Sequence, residues 1–104
     1  MPAVLSVSRA AVEPGNEAAY LDALRELARS LRERGQRLWV FRHPLHPGSY
    51  LECSEGRDPA SHRAGPARDP ALEPLERRLR SLAVYPPDAW DLWTEVSLEE
   101  EDRG

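Results

Sequence analysis

The chain has 104 residues, a mass of 11.7 kDa and a formal net charge of −4, with 40% hydrophobic and 31% charged residues. This describes one globular domain and excludes wholesale disorder, coiled coil and a collagen-like composition, while the negative charge argues against a nucleic-acid partner. No apolar run approaches the ~20 residues of a membrane span, and the single cysteine, Cys53, excludes a disulfide framework or a cysteine-built zinc site.

Residues 3–12 carry Val4, Leu5, Val7 and Val12 among small residues and predict a strand with both faces at least partly covered. Pro14-Gly15-Asn16 punctuates, with Asn16 placed to cap a helix over 17–34. In that helix Tyr20, Leu21, Leu24, Leu27, Ala28 and Leu31 recur at spacings of three and four and form one apolar stripe. Arg32 and Arg34 suit its last turn, and Gly35 its stop.

Residues 37–43 predict a second strand, with Leu38, Val40 and Arg42 on one face and Trp39, Phe41 and His43 on the other. The turn Pro44–Gly48 is short, so a third strand over 49–54 runs antiparallel to it. Asp58-Pro59 opens a short helical segment through His62, and Gly65-Pro66 interrupts it. Asp69-Pro70 repeats the start signal. Leu72, Leu75, Leu79 and Leu82 then predict a helix to about residue 83, with Pro74 marking its first turn. Pro86-Pro87 forbids continuation, and residues 90–97 predict a fourth strand. One domain is expected over 1–98, and an acidic, disordered tail over 99–104.

Strand, helix, strand, strand, helix, strand is the ferredoxin-like βαββαβ order, an α+β fold with one antiparallel sheet and both helices on one face. Trp39, Phe41, Tyr50 and Trp93 cannot all turn toward two helices, so the uncovered sheet face is expected to pack against a second copy.

The order, together with Val12-Glu13-Pro14-Gly15 before the first helix and Tyr50-Leu51-Glu52-Cys53-Ser54-Glu55 followed by Asp58 and His62, resembles the antibiotic biosynthesis monooxygenase-like family of dimeric α/β barrels. The resemblance spans residues 3–97. It implies a homodimer with an apolar cavity between sheet and helices. It also implies oxidation of an aromatic substrate by dioxygen without metal or flavin cofactor. The haem-degrading branch places Asn late in strand one, Trp before helix two and His within helix two. Here Ser8, His62 and a histidine-free stretch from Leu72 to Leu82 stand at those places, which disfavours haem chemistry.

His62 is the candidate catalytic residue. An imidazole at a cavity mouth can remove a phenolic or enolic proton and leave a carbanion able to meet oxygen. Trp39, Tyr50, Tyr85, Trp90 and Trp93 are candidate pocket residues for a flat apolar ligand. Arg42 is a candidate for pinning an anionic oxygen, set against the plainer role of a charged edge-strand residue. His43, His46 and His62 with Glu52 or Glu55 lack metal-ligand spacing, so no metal is expected: His46 is read as a surface turn residue, His43 and His62 as half-buried polar ones. All basic residues are arginine, which excludes lysine Schiff-base chemistry. Cys53 is read as a small buried hydrophobe. The start of the chain lacks a charged-then-apolar leader, so a cytoplasmic protein is expected. Three functions follow: a cofactor-independent oxygenase acting on a small aromatic or enolisable molecule, a non-catalytic dimeric module that binds a small ligand or serves a structural role, or an isomerase or cyclase on the same scaffold that uses the same base without oxygen.

Overall fold

The computed structural model describes residues 3–56, 70–88 and 90–99. Its elements are β1 (Val4–Ala11), α1 (Glu17–Arg32), β2 (Leu38–Arg42), β3 (Ser49–Gly56), α2 (Glu73–Leu82) and β4 (Trp90–Thr94). The strands form one sheet in the order β2-β3-β1-β4, every neighbour antiparallel. This is the expected ferredoxin-like α+β arrangement, with β2 and β4 at the edges. The expected helical segment 58–62 lies outside the described residues.

α1 forms where the apolar stripe predicted it. Tyr20, Ala23, Leu24, Leu27 and Leu31 are buried against β2, β3 and α2, and Leu21, Leu38, Val40, Leu75 and Leu82 close the sides of this core. The helix ends at Arg32, two residues before the expected boundary, because Gly35 at φ +74° turns the chain back under it. Asn16 does not cap with its side chain. Pro14–Asn16 already forms a 3-10 turn, and the Asn16 amide donates instead to the Leu82 carbonyl at 3.4 Å, tying the start of α1 to the end of α2. α2 begins after a 3-10 turn at Pro70–Leu72 with Pro74 in its first turn, where a missing N–H costs nothing. β4 stops at Thr94, short of the expected residue 97, because β1, its one neighbour among the described residues, starts at Val4, the partner of Thr94.

Register sorts the side chains into two faces. The helix-facing surface is crossed by the rows Val40–Glu52–Ser8–Trp90 and Leu38–Ser54–Ser6–Leu92, with Arg42–Tyr50–Ala10 at one end. The outer surface carries Trp39–Cys53–Val7–Asp91 and Phe41–Leu51–Arg9, with Trp93 beside Leu5. Trp39, Phe41 and Trp93 thus face away from the helices, while Tyr50 faces toward them and is buried, so the four do not share one face.

The β2–β3 turn is held down on β1 by one close approach. Gly48 sits at φ +80°, its carbonyl accepts the Val12 N–H at 2.7 Å, and a Cβ at this position would lie 2.3 Å from the Val12 carbonyl oxygen. Gly48→Ala adds a left-handed backbone penalty to a clash with main chain that cannot move aside. It is expected to lower stability by about 2–4 kcal/mol, read from urea unfolding at constant m-value.

Candidate active site

β3 places Glu52 at the centre of the helix-facing surface, where it is 0% exposed. A carboxylate in such a place costs several kcal/mol unless charge-assisted hydrogen bonds replace its water. Two phenols do this. Tyr20 of α1 donates to Glu52 Oε2 at 2.5 Å, and Tyr85, in the segment between α2 and β4, donates to the same oxygen at 2.7 Å. The Tyr85 ring stacks on Trp90 with centroids 6.2 Å apart and an interplanar angle of 10°. Trp90 and Glu52 lie on opposite sides of Ser8 in one cross-strand row. A flat aromatic wall and a buried acidic oxygen therefore share one surface.

A second carboxylate–phenol pair flanks the first. Tyr50, two residues before Glu52 on the same face, donates to Glu17 Oε2 at 2.5 Å, and its ring meets that of Tyr20 at 5.0 Å. The Arg42 guanidinium lies 5.9 Å from the Tyr50 ring centroid. The hydrogen bond to Glu17 raises the Tyr50 pKa above its ordinary value of 10.0, burial raises it further, and Arg42 opposes both. The phenol stays protonated throughout the neutral range.

The residues singled out by sequence fall into separate places. Tyr85 and Trp90 stand together at Glu52, and Tyr50 and Arg42 stand together one row away. Trp39 and Trp93 are on the outer face, Trp39 under the Arg37 guanidinium at 4.4 Å and Trp93 59% exposed, so neither joins the other four. His62 lies outside the described residues. His43 is exposed, not half-buried: it sits in the turn after β2, where its Nδ1 accepts the N–H groups of Leu45 and His46 at 3.0 and 3.2 Å. His46 packs on it at 4.1 Å. Among the described residues no group of three histidine, cysteine or acidic side chains could hold a metal ion. Cys53 is buried on the outer face. Desolvation, and secondarily the charge of Glu52, raise its thiol pKa, which makes it a poor nucleophile. A groove of about 310 Å³ at the β2–β3 end is bounded by Phe41, Leu51, Arg9 and Arg42.

The sequence offered Glu52 only as a metal ligand that its spacing did not support, and Tyr20 only as part of the apolar stripe. The available signal was period two in β3: Tyr50, Glu52 and Ser54 alternate with Leu51 and Cys53, so an acid must share the face of whichever tyrosine is buried.

Comparison with solved structures agrees with the fold. The chain aligns with SnoaB from Streptomyces nogalater, a cofactor-independent oxygenase, with a TM-score of 0.73 and 22% identity over 96% of this chain and 100% of that one. It shares the fold of the antibiotic biosynthesis monooxygenases. Two further proteins provisionally given that name show the same likeness. The one from Bordetella bronchiseptica has a TM-score of 0.70 and 13% identity over 95% of this chain and all of its own. The one from Chloroflexus aurantiacus has a TM-score of 0.69 and 20% identity over 94% and 97%. No protein-family model and no curated protein matches the chain at the sequence level.

The Glu52 contacts are also structural. Tyr20→Phe removes one charge-assisted donor and is expected to cost about 1.5–3 kcal/mol. Glu52→Ala removes an acceptor from two phenols at once and is expected to cost more than either tyrosine variant alone. Urea unfolding of the three variants checks the order, and equal losses would contradict it.

Proposed function

We propose that this chain is a cofactor-independent, monooxygenase-like enzyme acting on a small apolar molecule with an aromatic or enolisable centre, in the cytoplasm. The observation that carries this reading is the Tyr85–Glu52 pair beside the Trp90 ring. A substrate hydroxyl hands its proton to Tyr85 Oη as the Tyr85 proton moves to Glu52 Oε2, so the acid ends on Glu52 and the substrate becomes an enolate or phenolate. A hydroxyl acidified by conjugation to a carbonyl gives up its proton more readily than a simple phenol, so the pair suits such a substrate. The electron-rich carbon then meets dioxygen. Carrying a CH2 to C=O releases four electrons, the full capacity of O2, so one oxygen atom enters the product and the other leaves as water without an added reductant. Tyr50 and Arg42, in the next row, take the role of orienting a substrate oxygen. His62 is the second candidate base.

The test is oxygen uptake across a panel of polycyclic phenols and enolisable ketones, with no flavin, nicotinamide or metal added. Tyr85→Phe is expected to lower kcat/KM by about 10²–10⁴, the usual weight of a general base. Undiminished turnover in His62→Ala would leave the tyrosine–glutamate pair as the base, whereas undiminished turnover in Tyr85→Phe would assign the role to His62. A folded wild type that consumes no oxygen with any member of the panel overturns the enzyme reading and leaves a binding module.

The proposal includes a homodimer packed sheet against sheet. Phe41, Leu51 and Trp93 are exposed on the outer face beside Trp39, an apolar patch of the kind that partners cover. Trp93→Glu places a charge in that patch and is expected to give a monomer by native mass spectrometry where the wild type runs near twice 11.7 kDa. A wild-type monomer at low micromolar concentration overturns the dimer.

A further inference from the structure

The groove of about 310 Å³ at the β2–β3 end of the sheet combines apolar surface with hydrogen-bond donors. Phe41, Leu51 and Arg9 form one cross-strand row of the outer face, and both apolar members of that row are exposed. Arg42, His43 and Ser49 line the groove as well. Every polar side chain among these can donate. A guanidinium has donors and no acceptor. His43 Nδ1 already accepts the N–H groups of Leu45 and His46, which leaves the proton of the neutral ring on Nε2. The Ser49 hydroxyl has no hydrogen-bond partner among the described residues, and Arg42 makes no ion pair with any of them. Arg9 bonds to Asp88 through Nη2 alone, at 3.0 and 3.2 Å, so its other nitrogens are unused among the described residues. No acidic residue lines the groove, although the chain as a whole carries a net charge of −4. Donors without acceptors suit an anion, and guanidinium groups meet a carboxylate in paired N–H···O bonds. Exposed Phe41 and Leu51 add surface that a hydrocarbon body can cover.

We infer that this groove is a binding site for a small amphiphilic carboxylate, whose anionic end is held by Arg9 and Arg42 and whose apolar body covers Phe41 and Leu51. His43 Nε2–H and the Ser49 hydroxyl are the further donors available to the anion. A neutral ligand of the same shape forgoes the guanidinium bonds, and a small anion without a body leaves Phe41 and Leu51 in water. The site therefore selects for charge and apolar body together. Its row belongs to the outer face, whereas Glu52 lies on the helix-facing one, so the inference does not rest on the oxygenase reading. One side chain joins the two surfaces, since Arg42 lies 5.9 Å from the Tyr50 ring centroid. The groove lies at the turn end of the outer face, while Trp93 lies beside Leu5 toward the other end. The inference thus centres the contact with a second copy on Trp39 and Trp93 and leaves the Arg9 end open.

Calorimetry on the full chain with 2-naphthoate, 2-naphthylmethanol and acetate as probes tests it. Wild type is expected to bind naphthoate about tenfold or more tightly than either the alcohol or acetate, with an affinity that falls as salt is raised. Arg9→Gln and Arg42→Gln are each expected to weaken naphthoate by about 10–100-fold and to leave the alcohol unchanged. Phe41→Ala is expected to weaken naphthoate and the alcohol alike. Tyr85→Phe is expected to bind naphthoate as wild type does. A loss there equal to that in Arg9→Gln would put the probe on the helix-facing surface and overturn the inference. Absent naphthoate binding, binding that ignores the carboxylate, or undiminished binding in Arg9→Gln overturns it too. Native mass spectrometry of the saturated protein is expected to show bound naphthoate with the assembly state unchanged. Conversion of a dimer to monomer on saturation would assign the groove to the second copy and overturn the inference. Naphthoate binding without oxygen uptake across the phenol and ketone panel removes only the oxygenase reading.

Discussion

The burial of Glu52 is the constraint on which the rest of the molecule depends. One oxygen of this carboxylate accepts a phenol from α1 and another from the segment leading into β4. The carboxylate is therefore a joint between the first helix, the middle of the sheet and the second crossover. Each phenol is effective only if its element is docked correctly, and the charge is tolerable only if both are. Asn16, bonded to the last turn of α2, and Gly48, pressed on Val12, fix the same elements from outside. The polar centre is therefore held by parts distant from one another in sequence.

This centre inverts the usual distribution of polarity across a sheet. An antiparallel sheet with one covered face ordinarily turns apolar side chains to its helices and polar ones to water. Here the covered face presents Ser6, Ser8, Glu52 and Ser54, while the outer face presents Trp39, Phe41, Leu51 and Trp93. The two halves of the inversion need each other. A polar inner centre removes apolar burial from the monomer, and an apolar outer face restores it only when something covers that face.

The scaffold was legible in the sequence because its signals are local. The stripe from Tyr20 to Leu31, the stop at Gly35, the turn at Pro44–Gly48 and the proline at the start of α2 each depend on neighbours a few residues away. The site was legible only in fragments. Tyr50, Tyr85, Trp90 and Arg42 are recognisable as aromatic and cationic side chains, but the assembly of Tyr20, Glu52 and Tyr85 spans gaps of more than thirty residues, which periodicity does not reach. β3 was also misleading. Leu51 and Cys53 are its more apolar face by composition, yet they point outward, because Tyr50 and Glu52 find their partners on α1. Hydrogen bonding decided the face, and hydrophobicity did not.

Polar groups at the heart of a small domain weaken it, and a chain of this length has little stability to spare. A purely structural role would be met as well by an aliphatic residue at Ser6, which would add burial and remove a hydroxyl that has no partner among the described residues. Glu52 does not require a hydroxyl there, since its phenols come from elements on the helix side. That hydroxyl is therefore a cost that folding does not explain. It lies in the row of the sheet that ends at Leu92, where the helix-facing surface meets its open edge.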